Sequence, residues 1–269
     1  MQVISSKENE VIKNIRKLKE KKYRDIENSY VIEGIKLIKE AIAENANIKQ
    51  IIMCEDYTDN VELDKDTLFE IAKYNLIYVT RNIINLITDV KTPQGIIAVI
   101  EKSNNIEQID YSQDIIVALD GVQDPGNLGT ILRTADSANL KQIILSKNCA
   151  DPYNPKVVRS TMGGIFRINI IEVEDLENSL KQMQKNNFKV MVTSLDTEKS
   201  VYDVDYSKKV IVIGNEANGV SKEVQDMADE KVIIPMLGKT ESLNASVAAG
   251  IMIYEYVRRK IKWKKTNKH

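Results

Sequence analysis

The segment IIVALDGVQDPGNLGTILRTADSA, residues 115–138, indicates the fold of the larger part of the chain. Its first six residues form an unbroken apolar run that ends in Asp, which is typical of a parallel strand covered on both faces. A turn containing Gly126 then leads into a helical run with Asn127 at its cap and Arg133 a little over one turn inside. A glycine-lined helix start with a basic residue behind it favours a phosphate. The segment therefore predicts a strand, a ligand-binding loop and a helix.

Further strands and helices alternate after this segment. Apolar runs predict strands at 142–146, 166–173, 189–195, 210–216 and 231–236, and a closing helix over 242–260 in which Ser242 has a capping role. Ligands of open parallel sheets bind at the carboxyl ends of the strands. Three polar or glycine-bearing loops follow predicted strands, at 120–129, 214–221 and 236–246. We therefore expect these three loops to meet in one site.

The first hundred residues show the same alternation with shorter elements. A capping-box pattern at Ser5 and Glu8 predicts a helix that continues to about residue 22. Strands are predicted at 29–34, 48–55, 76–81 and 95–102, with helices at 35–44, 66–75 and 82–90. The polar stretch 103–114 is typical of a linker. We expect two α/β domains, over residues 1–104 and 105–269.

Composition excludes several classes of protein. The chain is 43% hydrophobic and 29% charged, as in soluble globular proteins, and no apolar run approaches the roughly 20 residues of a membrane helix. The charged start does not resemble a secretory signal, so we expect a cytoplasmic protein without a membrane partner. Cys54 and Cys149 lack metal-ligand spacing and are interpreted as inert buried thiols. Because the one histidine is His269, we exclude histidine-based catalysis and expect no metal.

Basic residues concentrate near both ends of a chain whose net charge is −1. Residues 7–24 contain eight basic and three acidic side chains, and residues 256–269 contain seven basic and no acidic ones. This asymmetry favours contact with a polyanion, with solvated helix faces as the alternative.

Two common nucleotide motifs do not fit. Gly126 and Gly129 provide only G-x-x-G, which argues against the dinucleotide fingerprint of a nicotinamide-dependent oxidoreductase. The GKT at 238–240 imitates the end of a P-loop, but Ile233 stands where that loop needs glycine, and Pro235 removes a backbone amide.

Three segments resemble, in order and spacing, the motifs of the SpoU (TrmH-like) group of the SPOUT RNA 2′-O-ribose methyltransferases. They are NLGTILRTADS (127–137), IVIGNEANGVS (211–221) and IPMLGKTESLNASVAAGIMIYE (234–255). The resemblance covers about 115–258. The first hundred residues, with YVIEGIKLIKEAI and TPQGIIAVIE, resemble the ribosomal-protein-like substrate-binding module that many members carry.

The resemblance implies a fold and an activity. The C-terminal domain would be a SPOUT domain with a mostly parallel sheet and a deep trefoil knot, preceded by a small ribosomal-protein-like α/β domain. The protein would be a homodimer that uses S-adenosyl-L-methionine to methylate a ribose 2′-hydroxyl in RNA. The front module favours 23S rRNA over tRNA as substrate, and a non-catalytic RNA-binding relative is the alternative from another class. Such a relative would lack Arg133, Glu216 or Asn244, and all three are present.

The resemblance also implies roles for particular residues. The catalytic candidates are Asn127, Arg133, Glu216, Ser242 and Asn244. The cofactor-binding candidates are Thr193, Gly214, Ile234, Met236 and Leu243. The RNA-binding candidates are Lys17, Lys21, Lys22 and Arg24 in the basic N-terminal helix.

Two of these roles have alternatives. Arg133 is either the proton acceptor or a phosphate clamp, and a neutral arginine at pH 7 costs about 7 kcal/mol, which favours the clamp. Glu216 either takes a proton or holds a hydrogen-bond donor in place.

Overall fold

The computed structural model describes residues 3–57, 64–102, 108–240 and 242–261. The chain divides into two compact units. The first combines Met1–Asn105 with Asp151–Arg167, and the second combines Ile106–Ala150 with Ile168–His269. The predicted boundary after residue 104 lies outside the described residues. Residues 151–167, which the sequence prediction assigned to the C-terminal domain, belong to the first unit.

The first unit is a five-stranded mixed sheet with helices. Its elements are β1 (Val3–Ile4), α1 (Glu10–Lys17), α2 (Lys21–Ile26), β2 (Ser29–Glu33), α3 (Ile35–Ala43), β3 (Ile48–Cys54), α4 (Lys65–Ile71), β4 (Leu76–Val79), α5 (Arg81–Ile87), β5 (Ile96–Glu101) and, later in the chain, α7 (Pro155–Thr161). The strand order is β1-β4-β3-β5-β2, and β5 runs antiparallel to both of its neighbours. This is an α/β layer as predicted, with one strand, β1, that the sequence did not indicate.

The N-terminal helix differs from its prediction. The helix begins at Glu10 because the Asn9 side chain accepts a hydrogen bond from the backbone N–H of Val11 at 2.9 Å. The predicted capping box at Ser5 and Glu8 is therefore wrong. The predicted single helix is two helices, since α1 ends at Lys17 and α2 starts at Lys21.

The second unit is a six-stranded sheet flanked by helices. Its elements are β6 (Ile115–Asp120), α6 (Pro125–Ser137), β7 (Gln142–Ser146), β8 (Asn169–Val173), α8 (Leu176–Lys185), β9 (Lys189–Thr193), β10 (Lys209–Gly214), α9 (Lys222–Met227), β11 (Glu230–Val232) and α10 (Ala245–Lys260). The strand order is β11-β9-β10-β6-β7-β8, and every neighbouring pair is parallel. All six residues of β10 are buried, as expected for a central strand covered on both faces.

Helix starts in the second unit are fixed by side chains other than those predicted. The N-cap of α6 is Asp124, whose carboxylate accepts a hydrogen bond from the Asn127 N–H at 2.9 Å, with Pro125 at the first helical position. The N-cap of α10 is Asn244, which accepts from the N–H of Ser246 at 2.9 Å. The predicted capping roles of Asn127 and Ser242 are therefore wrong.

The last strand is shorter than its prediction. The strand β11 ends at Val232, followed by a single bridge from Ile233 to Ser200, whereas the apolar run predicted a strand to Met236. Pro235 has no N–H to donate to a sheet ladder, so the sequence contained the reason for the early end.

The described residues contain no helix that is long and apolar enough to cross a membrane. They also contain no group of three or more His, Cys, Asp or Glu side chains that could hold a metal ion. Both cysteines are free, and burial raises the pKa of the Cys149 thiol.

Candidate active site

The site lies at the carboxyl ends of the central strands of the second unit. The strands β6 and β10 end side by side, with Asp120 paired to Gly214, and β9 ends beside them. The loops that leave these strands enclose a cleft of about 510 Å³, within the usual range for a small-molecule site. Its walls are formed by residues 193–196 and 213–220 and by several residues of the segments 232–236 and 242–248.

All five predicted cofactor-binding residues line this cleft. Thr193 comes from the end of β9, Gly214 from the end of β10, and Ile234, Met236 and Leu243 from the loop before α10. Glu216 and Ser242 of the predicted catalytic set line the same cleft. Residues separated by more than forty positions therefore share one concave surface.

Gly214 is required by the close approach of two backbone segments. A Cβ atom at Gly214 would lie 2.1 Å from the carbonyl carbon of Gly219 and 2.1 Å from the nitrogen of Val220. The turn closes through mutual backbone hydrogen bonds between Asn215 and Gly219, each 2.9 Å, and Gly219 has a φ of +69°. These positions need glycine because a side chain would clash at the first and strain the backbone at the second.

Glu216 joins this turn to the start of α6. Its carboxylate accepts hydrogen bonds from the backbone N–H of Gln123 at 3.2 Å, the backbone N–H of Asp124 at 3.1 Å and Nδ2 of Asn127 at 2.9 Å. Partial desolvation raises the pKa of Glu216, but these hydrogen bonds outweigh it and hold that pKa below its ordinary value. The carboxylate is therefore ionised and well supplied with donors.

Asn127 extends the connection to the third loop. While its Nδ2 donates to Glu216, its Oδ1 accepts a hydrogen bond from Nδ2 of Asn244 at 2.9 Å. Asn244 in turn accepts from the N–H and the hydroxyl of Ser246, at 2.9 and 2.6 Å. Asn127 is 9% exposed. A continuous hydrogen-bonded chain thus links one residue from each of the three predicted motifs.

Arg133 stands apart from this chain. It lies six residues after Asn127 on α6, which turns it about 240° around the helix axis. The side chain is exposed, does not line the cleft, and has no hydrogen-bond or ion-pair partner among the residues that the structure describes. Within this chain, the structure does not bring Arg133 together with the other catalytic candidates.

The predicted RNA-binding residues divide into two groups. Arg24 is 2% exposed, and its guanidinium donates to Asp151 at 2.9 and 2.5 Å and to the carbonyls of Leu18 and Lys19. The prediction that Arg24 contacts phosphate is therefore wrong, because its donors are already used inside the first unit.

Lys17, Lys21 and Lys22 are exposed, as a phosphate contact requires. The ammonium groups of Lys17 and Lys22 lie 5.8 and 5.7 Å from the ring centre of Tyr23. Of the basic C-terminal run, Arg258 and Arg259 pair with Glu255, and Lys260 pairs with Asp114. Residues 262–269 lie outside the described part of the chain.

Sequence reasoning missed one wall of the cleft. The loop after β9 contributes Ser194, Leu195 and Asp196. Its position after a buried strand is the signal that would have found it.

Asn215 was also missed. Its Nδ2 donates to the Gly121 carbonyl at 2.8 Å, and its Oδ1 accepts from the N–H of Ala217 at 2.9 Å, which fixes the turn that carries Glu216.

Sequence profiles match both units. The profile of the SpoU rRNA Methylase family matches residues 114–254, and that of the MRM3-like substrate binding domain matches residues 9–98. The first match covers more than half of the chain. The chain belongs to the SpoU rRNA Methylase family.

Individual relatives extend over nearly the whole chain. It is 32% identical over 255 residues to the 23S rRNA (guanosine(2553)-2′-O)-methyltransferase RlmP of Bacillus subtilis, covering 94% of this chain and 98% of the relative. An AdoMet-bound rRNA methyltransferase from Sinorhizobium meliloti is 31% identical, covers 97% of this chain and 98% of its own, and superposes with a TM-score of 0.85. A TrmH/SpoU tRNA modifying enzyme of A. aeolicus is 32% identical but covers 55% of this chain and 75% of its own, with a TM-score of 0.50.

These matches confirm the predicted family and the predicted mostly parallel α/β fold. They also confirm the predicted enzyme class, an RNA 2′-O-ribose methyltransferase, and S-adenosyl-L-methionine as its methyl donor.

Proposed function

We propose that this SpoU methyltransferase transfers a methyl group to one ribose 2′-hydroxyl of 23S rRNA, with the donor in the cleft of the second unit. The observation that carries the proposal is the hydrogen-bonded chain Asn244–Asn127–Glu216, whose last member lines the cleft together with all five cofactor candidates. Two relatives that match along nearly the full length, from Bacillus subtilis and Sinorhizobium meliloti, are rRNA enzymes by name, whereas the similarity to the A. aeolicus tRNA enzyme covers 55% of the chain.

The residues of the cleft fit the donor. Thr193, Gly214, Ile234, Met236 and Leu243 offer backbone polar groups and apolar side chains, which suit an adenosyl and a methionyl group. Once bound, the donor supplies an electrophilic methyl carbon on a sulfonium. The protein must therefore hold the acceptor hydroxyl in line with that carbon and favour the loss of its proton.

Glu216 acts in this proposal as a positioning residue. Three donors occupy its carboxylate and lower its pKa, so it is a weaker base than an ordinary glutamate. It fixes the amide of Asn127, which fixes Asn244 in turn. Ser242 is exposed and lines the cleft, and it does not cap α10, because Asn244 does. In this proposal its hydroxyl contacts the acceptor ribose.

Arg133 acts as a phosphate clamp. Its guanidinium is exposed and has no partner among the described residues, so it can bind a phosphate next to the target ribose through two parallel hydrogen bonds. A role as base is less favourable, because a neutral arginine at pH 7 costs about 7 kcal/mol.

The proposal includes a homodimer with Arg133 at the subunit interface. On α10, Val247 and Tyr254 are each 49% exposed, and Leu243 just before the helix is 37% exposed. The spacing of these apolar residues follows the helical repeat, so they form one outward stripe. The hydroxyls of Tyr254 and Ser137 lie 3.0 Å apart, which places this stripe beside the exposed face of α6 that carries Arg133. A second copy that covers the stripe would place Arg133 close to a shared site.

The trefoil knot belongs to the proposal as well. The strand β11 lies at the sheet edge beside β9, yet the following helix α10 packs against β10 and α6. Of the described residues between these two elements, 233–240 and 242–244, several line the cleft at the carboxyl ends of the strands, which supports a path back across the sheet as a knot requires. We place the enzyme in the cytoplasm, where rRNA is available.

Transfer of labelled methyl groups by the purified protein tests the proposal. With S-adenosylmethionine as donor, we expect labelling of unmodified 23S rRNA and not of tRNA, and recovery of the label in a single 2′-O-methylated nucleoside. Labelling of tRNA alone would contradict 23S rRNA as the substrate and favour tRNA instead. Binding of donor and RNA without any labelling would favour the non-catalytic relative.

A further inference from the structure

The ionisable side chains that line the cleft are all acidic. Among the described residues that line it, the ionisable side chains are Asp196 and Glu216, with no Lys, Arg or His. Glu216 is compensated by three hydrogen-bond donors. Asp196 is not, because its carboxylate has no hydrogen-bond or ion-pair partner in the described part of the chain. The cleft therefore carries one uncompensated negative charge.

Hydrogen bonds on both sides of Asp196 fix its loop to the neighbouring strand. The N–H of Ser194 donates to the Val232 carbonyl at 2.9 Å, and the N–H of Ile233 donates to the Lys199 carbonyl at 2.9 Å. The N–H of Asp196 itself donates to the Ser194 hydroxyl at 3.1 Å. The backbone on both sides of Asp196 is thus tied to the strand β11 and the residue after it, and Asp196 itself lies in the cleft wall.

We propose that Asp196 makes the cleft selective for the charged methyl donor over the reaction product. S-adenosylmethionine carries a sulfonium, an ammonium and a carboxylate, with a net charge of +1, whereas S-adenosylhomocysteine has lost the sulfonium charge and is neutral overall. An uncompensated carboxylate in the cleft wall attracts the first more than the second. This selectivity favours product release after each transfer. The inference rests on the proposed function, which places the donor in this cleft.

Titration calorimetry of the full-length protein with both ligands tests this inference. In the Asp196→Asn variant we expect the Kd for S-adenosylmethionine to rise about two- to fivefold, the range of an exposed charge interaction, while the Kd for S-adenosylhomocysteine stays unchanged. The preference of the wild type for the donor should also shrink as salt is added, because salt screens exposed charges.

Glu198→Gln is the matched control. Glu198 is exposed on the same loop and does not line the cleft, so its loss removes the same charge without touching the site. We expect neither Kd to change in this variant. Thermal unfolding of both variants checks that the fold is intact.

The outcomes separate this inference from the proposed function. Equal Kd values for the donor in wild type and Asp196→Asn would overturn the charge selectivity alone. An equal rise for both ligands would also overturn it, since Asp196 would then contact the ammonium that the two share. A wild type that binds neither ligand would contradict the proposed cleft itself.

Discussion

At the scale of single residues, Asn127 is the link on which the site depends. It is buried, and both ends of its amide are used, one by Glu216 and one by Asn244. In Asn127→Ala, both partners lose a hydrogen bond, so we expect the free energy of unfolding to fall by about 1–3 kcal/mol. Methyl transfer should fall by at least tenfold, because the geometry of the site is lost. Urea unfolding and a transfer assay measure the two effects.

Asn178 provides a matched control for this variant. It occupies the same position in α8, three residues after the N-cap Asp175, as Asn127 occupies after Asp124 in α6. Its side chain is on the exposed surface. Asn178→Ala should therefore leave both stability and transfer nearly unchanged. Similar losses in the two variants would show that the polar chain at the cleft has no special importance.

The lowered pKa of Glu216 predicts that the stability of the fold depends on pH. Because its pKa in the folded protein lies below its ordinary value of 4.5, ionised Glu216 stabilises the fold above that value. The stabilisation is lost as the pH falls through the folded-state pKa. The difference in free energy of unfolding between wild type and Glu216→Gln should therefore be largest near neutral pH and should shrink below pH 4.5. A difference that grows on acidification, measured by urea unfolding, would reverse the sign that we assign.

Arg133 should affect transfer without affecting the donor. It is exposed and outside the cleft, so Arg133→Ala should keep the affinity for S-adenosylhomocysteine while transfer falls by at least tenfold. Arg133→Lys, which keeps the charge but not the planar fork, should show an intermediate rate. A weakened affinity for S-adenosylhomocysteine in Arg133→Ala would place this residue in the donor site and refute the clamp.

The sequence predicted which residues belong to the site better than it predicted the burial and contacts of those residues. Gly214, Glu216 and Asn244 could be identified because they lie in loops that follow predicted strands and in segments that resemble the SpoU motifs. The burial of Arg24 could not be predicted, because its partner Asp151 lies 127 residues away in the chain. A cation in a basic run is exposed or buried according to tertiary contacts that local patterns do not contain.

At the scale of elements, most strands and helices could be predicted and several of their ends could not. Unbroken apolar runs mark strands such as β10 because both faces of a central parallel strand are buried. The ends depend on which of several nearby polar side chains forms the cap. Asn9 and Asn244 do so here, where Ser5 and Ser242 were equally plausible from sequence.

The exposed stripe on α10 leads to a prediction for this helix. A charge at Val247, which is 49% exposed, should disfavour burial of the stripe against a second copy. We expect Val247→Glu to shift the protein from dimer to monomer in sedimentation velocity. Gln182→Glu adds the same charge to an exposed position of α8 and should leave the dimer intact. An unchanged dimer in Val247→Glu would exclude the stripe as the subunit interface.

At the scale of the whole molecule, the chain divides into two compact units, and the second contains most of the match to the SpoU rRNA Methylase family. The alternation of strands and helices predicted both, since each forms its own sheet. It did not predict that residues 151–167 belong to the first unit, because a segment that returns to an earlier unit has no local signature. The match to the Bacillus subtilis 23S rRNA enzyme extends over both units.

The most direct test of the function is a map of ribose methylation in 23S rRNA from cells with and without the gene. We predict that a single 2′-O-methyl mark is absent from cells that lack the gene. The mark should return with the wild-type chain and not with Arg133→Ala. A map identical in both strains would contradict the proposed function.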